Sequence, residues 1–492
     1  MNRAILKRLV VFASAYSVAS LASVGAMGSQ ALASDSTEVT VLSRNIYLGA
    51  DVGVALELIP DLPAAAQFMW DQVAATDFSR RAPVLARELT SLKPDVVAIQ
   101  EATQWICRPS LLGDSTVVFD FTEQLLEQTR LQGVPYVVAS HDDEVALNPG
   151  YSIPAIPRLT QVTDPETFQP LFGSDTASCG FTIGDALLVR EDIADQVTQV
   201  GVQDFESKYV VVPVLLEISR GFAWADIRFG DAITRFATTH LESVWDPETT
   251  PTGALQAKEL VAITESWQMP LVIAGDFNMD PRDPRPLGAP NPGGQPDATT
   301  GCAPQPTTNL ANESFSDCNA YWTMIEAGFI DVGPDSLDPE NATWGASALL
   351  AGPDLNRLEA AVGDRYGYTD RLDYVFVRNG VAVRDVQFVG ESWPTGDHLW
   401  DCDDPAQLSA AQEASNALGS SLGTAACMPT DHVGILTALE LPGASAAEYP
   451  PATQQERGTW WMWIAGISLV VVALLAVKGI AVRRRRGDSA AM

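Results

Sequence analysis

The stretch Leu271-Val-Ile-Ala-Gly-Asp-Phe-Asn278 decides how the rest of the chain is read. Its first four residues are apolar and read as a buried strand. Gly275 ends the run, and Asp276 and Asn278 follow with one residue between them. On an extended chain, residues i and i+2 point to the same side. The strand therefore presents a carboxylate and a carboxamide together at its C-terminal end, where sheets place ligand chemistry. Such oxygens suit a hard cation or a phosphate-bound water. An Asx turn after a core strand is the plainer alternative.

Outward from this strand, strands and helices alternate. Residues 39–45, 95–100, 137–138, 186–189, 209–216, 234–240, 371–378, 381–389 and 432–441 read as strands. Residues 80–92, 117–131, 253–267 and 321–327 read as helices; in 117–131, Phe121, Leu125, Leu126 and Leu131 are spaced for one apolar face. Pro213 suggests an edge or a bulge in its strand. Three long insertions, 148–172, 281–318 and 397–428, interrupt the pattern, and loops of that size are usually functional or pinned.

Both ends carry address-like segments. Residues 1–33 combine Arg3 and Lys7, an apolar run and the Ala31-Leu32-Ala33 site of a secretory signal peptide. Residues 442–459 read as a stalk. Residues 460–482 are apolar enough for one membrane crossing, with Trp460, Trp461 and Trp463 at one end. The arginines from Arg483 to Arg486 make residues 483–492 a cytoplasmic tail. The expectation is an exported, surface-anchored chain. Its six cysteines fit an oxidising compartment. The simplest pairing is sequential: Cys107 with Cys179, Cys302 with Cys318, Cys402 with Cys427. No C-x-x-C occurs, which argues against zinc.

Between signal and stalk, residues 34–441 suffice for one large domain with insertions or two average ones. Hydrophobic residues make up 46% of the chain, enough for a sizeable core. With 62 acidic and 30 basic residues the net charge is −32. So negative a surface repels bulk nucleic acid, and cations must offset the repulsion at any phosphate site. A salty habitat would explain the same acidity.

Polar residues at strand ends form a further pattern. Asn45 ends the first strand and Glu101 follows the second. His240 ends 234–240, Asp276 and Asn278 end the central strand, Asp373 lies in 371–378, and Asp431-His432 opens the last strand. Singly, each has a dull explanation: a turn former, a solvated acid, a histidine bonded near the core. Jointly they are economical, since the chain has only four histidines and two of them flank these acids.

The series Asn45, Gln100-Glu101, Thr239-His240-Leu241, Gly275-Asp276-Phe277-Asn278, Arg371-Leu372-Asp373-Tyr374 and Thr430-Asp431-His432 resembles the endonuclease/exonuclease/phosphatase superfamily. That family includes deoxyribonuclease I and the neutral sphingomyelinases. Thr430 departs from the serine that many members carry before Asp-His. The resemblance implies an α/β (α+β) four-layer sandwich, two mostly antiparallel sheets face to face with helices outside. It also implies a metal-dependent phosphoric ester hydrolase using Mg²⁺, or Mn²⁺ in its place. Asn45 and Glu101 match the family's metal positions, with Asp431 touching a metal or a water. His432 would be the base, with Asp373 fixing its tautomer. His240 would bind the phosphate or protonate the leaving oxygen, oriented by Asp185, and Asp276 and Asn278 would position water and phosphate.

The implied partner is a phosphate ester: a phospholipid headgroup, a small phosphodiester or nucleic acid. The charge and the membrane tether favour the first two, and Trp245, Trp322, Trp344 and Trp393 are candidates to contact an apolar group. An extracellular nuclease and an inactive surface binding module are the alternatives. No obligate protein partner is evident.

Overall fold

The computed structural model describes residues 37–443, apart from 60, 110–112, 161–175, 214–215, 245–249, 284–317, 364–366, 395 and 423–426. The expected signal peptide, membrane segment, tail, Cys302 and Trp245 lie outside the described residues, as does most of the stalk. Among the described residues no helix is long and apolar enough to cross a membrane.

Two sheets carry the site. In the first, the strands run in the order Ala382–Val389, Gly434–Leu441, Thr37–Asn45, Val96–Arg108, Thr176–Arg190, Tyr136–Val138. In the second they run Ile330–Asp331, Asp373–Arg378, Leu271–Asp276, Ala232–His240, Gly221–Phe229, Val197–Asp204. Thr37–Asn45 pairs with Val96–Arg108, and Ala232–His240 with Leu271–Asp276, in parallel. The other neighbours are antiparallel, so the sheets are mostly antiparallel, as expected.

The period-2 alternation of side chains divides these strands into layers. Val39, Val41, Val96, Ala98, Leu187 and Val189 of the first sheet meet Ala223, Phe236, Val272, Ala274 and Val375 of the second in one buried cluster. The opposite side of the first sheet, with Leu42, Val97, Ile99 and Leu188, packs on residues of the helices Leu62–Thr76, Phe78–Leu92 and Phe121–Leu131. On the second sheet, Leu271 and Ile273 pack on Thr252–Thr264 and Ala320–Glu326. Because both faces are covered, Leu271-Val-Ile-Ala274 is apolar without interruption. Fully burying one such side chain contributes about 1.5–3 kcal/mol. The arrangement is the four-layer sandwich expected.

Several expectations need correction. Residues 117–131 are not one helix: Thr116–Asp120 is a strand, and Asp120 caps the helix Phe121–Leu131 by accepting from the Glu123 amide. The apolar helical face starts only at Phe121, and Val117-Val118-Phe119 prefers the pleated form. Residues 209–216 are not one strand either, but part of a separate hairpin of Tyr209–Val212 and Leu216–Ile218. The 148–172 insertion begins as the strand Leu147–Thr160, paired to Thr176–Arg190 through repeated register shifts. Its three prolines are tolerated on a strand with one neighbour. The 397–428 insertion holds the helix Pro405–Ala417. Cys107–Cys179 and Cys402–Cys427 are disulfides as expected, and Cys318 is disulfide-bonded.

Candidate active site

Lateral register assembles half of the site. His240 lies opposite Asp276, and Asp276 opposite Asp373, across the ends of three neighbouring strands of the second sheet. Asn278, two residues on, takes φ +50°, a left-handed conformation that asparagine tolerates. Its amide donates to Asp276 Oδ1 at 2.9 Å, so the turn and the site are one motif.

The first sheet supplies the rest. Asn45 lies opposite Gln100. Glu101 sits where the pairing with Thr176–Arg190 shifts register between Ile99 and Ala102, at φ +61°. A glutamate is strained there, and a bulge of this kind re-aims a side chain beside a site. Asp431 and His432 arrive just before Gly434–Leu441. Thr430 Oγ1 donates to the Asn45 carbonyl at 2.8 Å and accepts from the His432 amide at 3.3 Å. Serine carries the same hydroxyl, so the threonine keeps both bonds.

All eight candidate residues are buried and brought together. Asn45 Nδ2 reaches Glu101 Oε1 (3.1 Å), Asp276 Oδ2 (3.1 Å) and His432 Nε2 (3.3 Å). His432 Nδ1 lies 2.9 Å from Asp373 Oδ2, and its Nε2 lies 3.6 Å from Asp276 and 4.0 Å from Asp431. His240 Nε2 lies 3.5 Å from Asp276 Oδ2 and 2.8 Å from Asn278 Nδ2. Gln100 Nε2 donates to Thr238 Oγ1 at 2.9 Å and ties the two sheets beneath the site.

Two expected roles are changed. Asn45 does not turn its oxygen to the acids: the Tyr47 amide takes Oδ1 at 2.9 Å, and the NH₂ faces the carboxylates. The first amides beyond the strand need an acceptor, and an Asx turn supplies it. His240 Nδ1 faces Arg220 Nη1 at 3.1 Å rather than Asp185. Asp185 instead receives the Glu101 backbone amide and feels the Arg220 charge, while its buried Oδ1 has no hydrogen-bond partner.

Sequence reading missed three supports. Trp344 Nε1 donates to Asp431 Oδ2 at 3.0 Å. Arg81, wholly buried, donates to the carbonyls of Thr76, Ile46, Tyr47 and Pro429. Arg220 also meets Glu242 at 3.3 Å. The sequence singles out Trp344 for an apolar contact and not as a donor to an acid; nothing local marks the two arginines, and only the scarcity of basic residues in so acidic a chain singles them out.

Burial dominates the electrostatics of the carboxyls, and neighbouring acids add to it. Burial pushes Asp276 up to about 7, with Asp373 and Glu101 adding to it against His432. Burial likewise pushes Asp431 up to about 6 and Asp185 to about 8. Burial opposes the charge on His432, but Asp373, Asp276 and Asp431 outweigh it and raise the ring to about 10. His240 is held well below the usual histidine range by burial and then by Arg220.

The donor set fits a divalent cation. Oxygen ligands are what Mg²⁺ takes. Glu101 is turned inward by its strained backbone, and the buried Asp431 Oδ1 has no hydrogen-bond partner. Asp276, Asp373 and His432 each place one ligand-type atom within 4.8 Å of the others. A cation beside these groups would offset the burial and the crowding that raise the pKa values of the carboxyls.

Buried carboxylates and histidines gathered where the two sheets meet fit a phosphoric ester hydrolase that depends on a divalent metal. The chain belongs to the Endonuclease/Exonuclease/phosphatase family, whose model matches residues 75–432. Of the eight site residues only Asn45 falls outside that match. No curated protein matches this chain. Among solved structures it is similar to an endonuclease/exonuclease/phosphatase family protein from Leptotrichia buccalis C-1013-b, at 14% identity over 82% of this chain and 100% of that one, TM-score 0.39. It is also similar to an endonuclease/exonuclease/phosphatase from Beutenbergia cavernae DSM 12333 (15%, 83% and 73%, TM-score 0.41). A third is a mannosyl-6-phosphatase of Bacteroides thetaiotaomicron VPI-5482 (14%, 82% and 99%, TM-score 0.37). Likeness at this level carries no argument about substrate.

Proposed function

We propose that this chain is an exported, membrane-anchored phosphodiesterase that uses Mg²⁺, or Mn²⁺ in its place, on a phospholipid headgroup or another small phosphate ester. The observation that carries the chemistry is His432, held at Nδ1 by Asp373 while Nε2 opens toward Asp276 and Asp431. Nδ1–H donates to the carboxylate, so Nε2 is the nitrogen that takes a proton from an attacking water. Asp276 and Asn278 place that water and a phosphate oxygen. His240 faces the same space from the second sheet and binds the phosphate or serves the leaving oxygen.

Glu101 and Asp431 are the residues that would hold the cation, which would neutralise charge developing on the phosphate. The acids that keep a proton on His432 are the ones such a charge would offset, and their pull on that proton would weaken with it. The apolar sequence of residues 460–482 and the net charge of −32 support a lipid or small ester over a nucleic acid.

The purified full chain is expected to hydrolyse bis-p-nitrophenyl phosphate with Mg²⁺ and to stop on chelation. Sphingomyelin vesicles and plasmid DNA offered side by side then decide the substrate. Faster cleavage of DNA would replace this reading with an extracellular nuclease. No turnover of any of the three would leave a binding module.

A further inference from the structure

Each carboxylate of the site is tied to the protein through at least one oxygen. Glu101 accepts from the Leu48 amide at Oε2 (2.5 Å) and from Asn45 Nδ2 at Oε1 (3.1 Å). Asp276 accepts from the Asn278 amide at Oδ1 (2.9 Å) and from Asn45 Nδ2 at Oδ2 (3.1 Å). His432 takes Asp373 Oδ2. Asp431 is tied at Oδ2, by the indole of Trp344 at 3.0 Å, and its buried Oδ1 has no hydrogen-bond partner. None of these four acids has two uncommitted oxygens to close on one cation.

The donor to Asp431 is held before any ion arrives. Trp344 pairs on one side with Asp370 and on the other with His432. Its amide donates to the Asp370 carbonyl at 3.0 Å, and its carbonyl accepts from the Thr369 amide at 2.9 Å. The Arg357 guanidinium lies 4.2 Å from the Trp344 ring centre. That guanidinium is in turn bonded to Asp370 Oδ2 (2.5 Å) and Thr369 Oγ1 (2.8 Å). A cation over an indole face attracts the ring and fixes its plane. The direction of the Nε1–H is therefore set by the fold, and an outer donor of this kind orients the ligand it bonds.

Ca²⁺ and Mg²⁺ ask different things of a carboxylate. Ca²⁺ takes about six to eight oxygens and readily accepts two from one carboxylate. Mg²⁺ is smaller, demands octahedral geometry, keeps several waters and uses single carboxylate oxygens. We propose that Trp344 is a specificity-determining residue for the metal: by holding Asp431 Oδ2 it leaves Oδ1 as the one oxygen offered, and so shifts the site toward Mg²⁺ and away from Ca²⁺. The inference rests on the divalent-cation site of the reading above and names what selects its ion.

The test is ion binding by the purified full chain without substrate. Isothermal titration calorimetry gives Kd for Mg²⁺ and for Ca²⁺ in the wild type and in Trp344→Phe, which keeps an aromatic ring beside Arg357 and removes the N–H. The variant is expected to bind Mg²⁺ about ten- to a hundredfold more weakly, the usual cost of losing an outer donor, and Ca²⁺ at least as tightly as wild type. The ratio of the two constants then moves toward Ca²⁺ by about tenfold or more. A merely structural role would weaken both ions alike. Equal changes in the two constants, or no change in either, make Trp344 a packing residue and overturn the proposal.

A second measurement needs no variant. In infrared difference spectra the antisymmetric and symmetric carboxylate stretches lie far apart for one-oxygen coordination and close together for two-oxygen coordination. Mg²⁺ added to the wild type is expected to give the wide separation alone. A narrow pair overturns the proposal even where Trp344→Phe does not fold. Failure of the metal site itself looks different: wild type binds neither ion and its difference spectra are flat, and the proposal falls with the site.

Discussion

Asp373→Asn isolates the part of the site on which the general base depends. Asp373 is fully buried, and its Oδ2 accepts from His432 Nδ1 at 2.9 Å. Asparagine keeps the shape and removes the charge. If its NH₂ faces the ring, Nδ1 must accept, the proton moves to Nε2 and the base is lost. If its oxygen faces the ring, the tautomer survives but the bond is no longer charge-assisted. A hydrogen bond to a charged group contributes about 1.5–3 kcal/mol. At about 1.36 kcal/mol per factor of ten in rate, the gentler outcome lowers kcat by about ten- to a hundredfold. The tautomer reversal lies at the upper end of the range for general-base catalysis, about 10²- to 10⁴-fold. The assay is initial-rate hydrolysis of bis-p-nitrophenyl phosphate at saturating Mg²⁺, with circular dichroism to establish that the variant is folded. A folded variant with kcat within about threefold of wild type would refute the base assignment.

Two further outcomes concern protons and stability. The folded-state pKa values of Asp276 (about 7), Asp431 (about 6) and His432 (about 10) are all raised. A raised folded value means that stability is fully present below the unfolded pKa and is lost as pH rises through the folded one. The melting temperature of the metal-free protein should therefore fall between about pH 4, the unfolded carboxylate value, and the His432 value. Mg²⁺ should raise it, by about 2.7 kcal/mol of stability at a hundredfold excess over Kd. Melts in chelator that do not change with pH would contradict the crowding of acids. Asp185, pushed by burial to about 8 with one oxygen unpartnered, gives a separate window. Asp185→Asn should match wild type below about pH 4 and exceed it by a few kcal/mol above pH 8. Chemical denaturation at the two pH values measures the difference, and a variant less stable at high pH would contradict the burial argument.

His240, Asp276 and Asp373 were legible because each follows or opens an apolar strand whose period and punctuation are local properties. Glu101 was legible as a strand end, but its aim was not: a bulge and a positive φ turn it inward, and both depend on the neighbouring strand. Arg220 and Arg81 left no such trace. Arg81 sits on a helix whose basic residues suggest a solvated face, yet its guanidinium is spent on four carbonyls brought from elsewhere in the chain. Asn45 shows the limit in the other direction: its place was readable, but which end of its carboxamide faces the acids was decided by the Tyr47 amide. The edge strand Leu147–Thr160 was hidden by prolines that would end a central strand but not an outer one.

Thr37–Asn45 lies directly against Gly434–Leu441, and Arg81 holds Ile46 and Pro429 together over a gap of 348 residues to the latter. A nascent chain carries His240, Asp276 and Asp373 well before it carries His432. Closing so wide a span is slow and entropically costly, and nothing on the early side substitutes for the late partner. Catalytic competence is therefore the last thing synthesis confers, and an interrupted or truncated polypeptide is inert rather than weakly active.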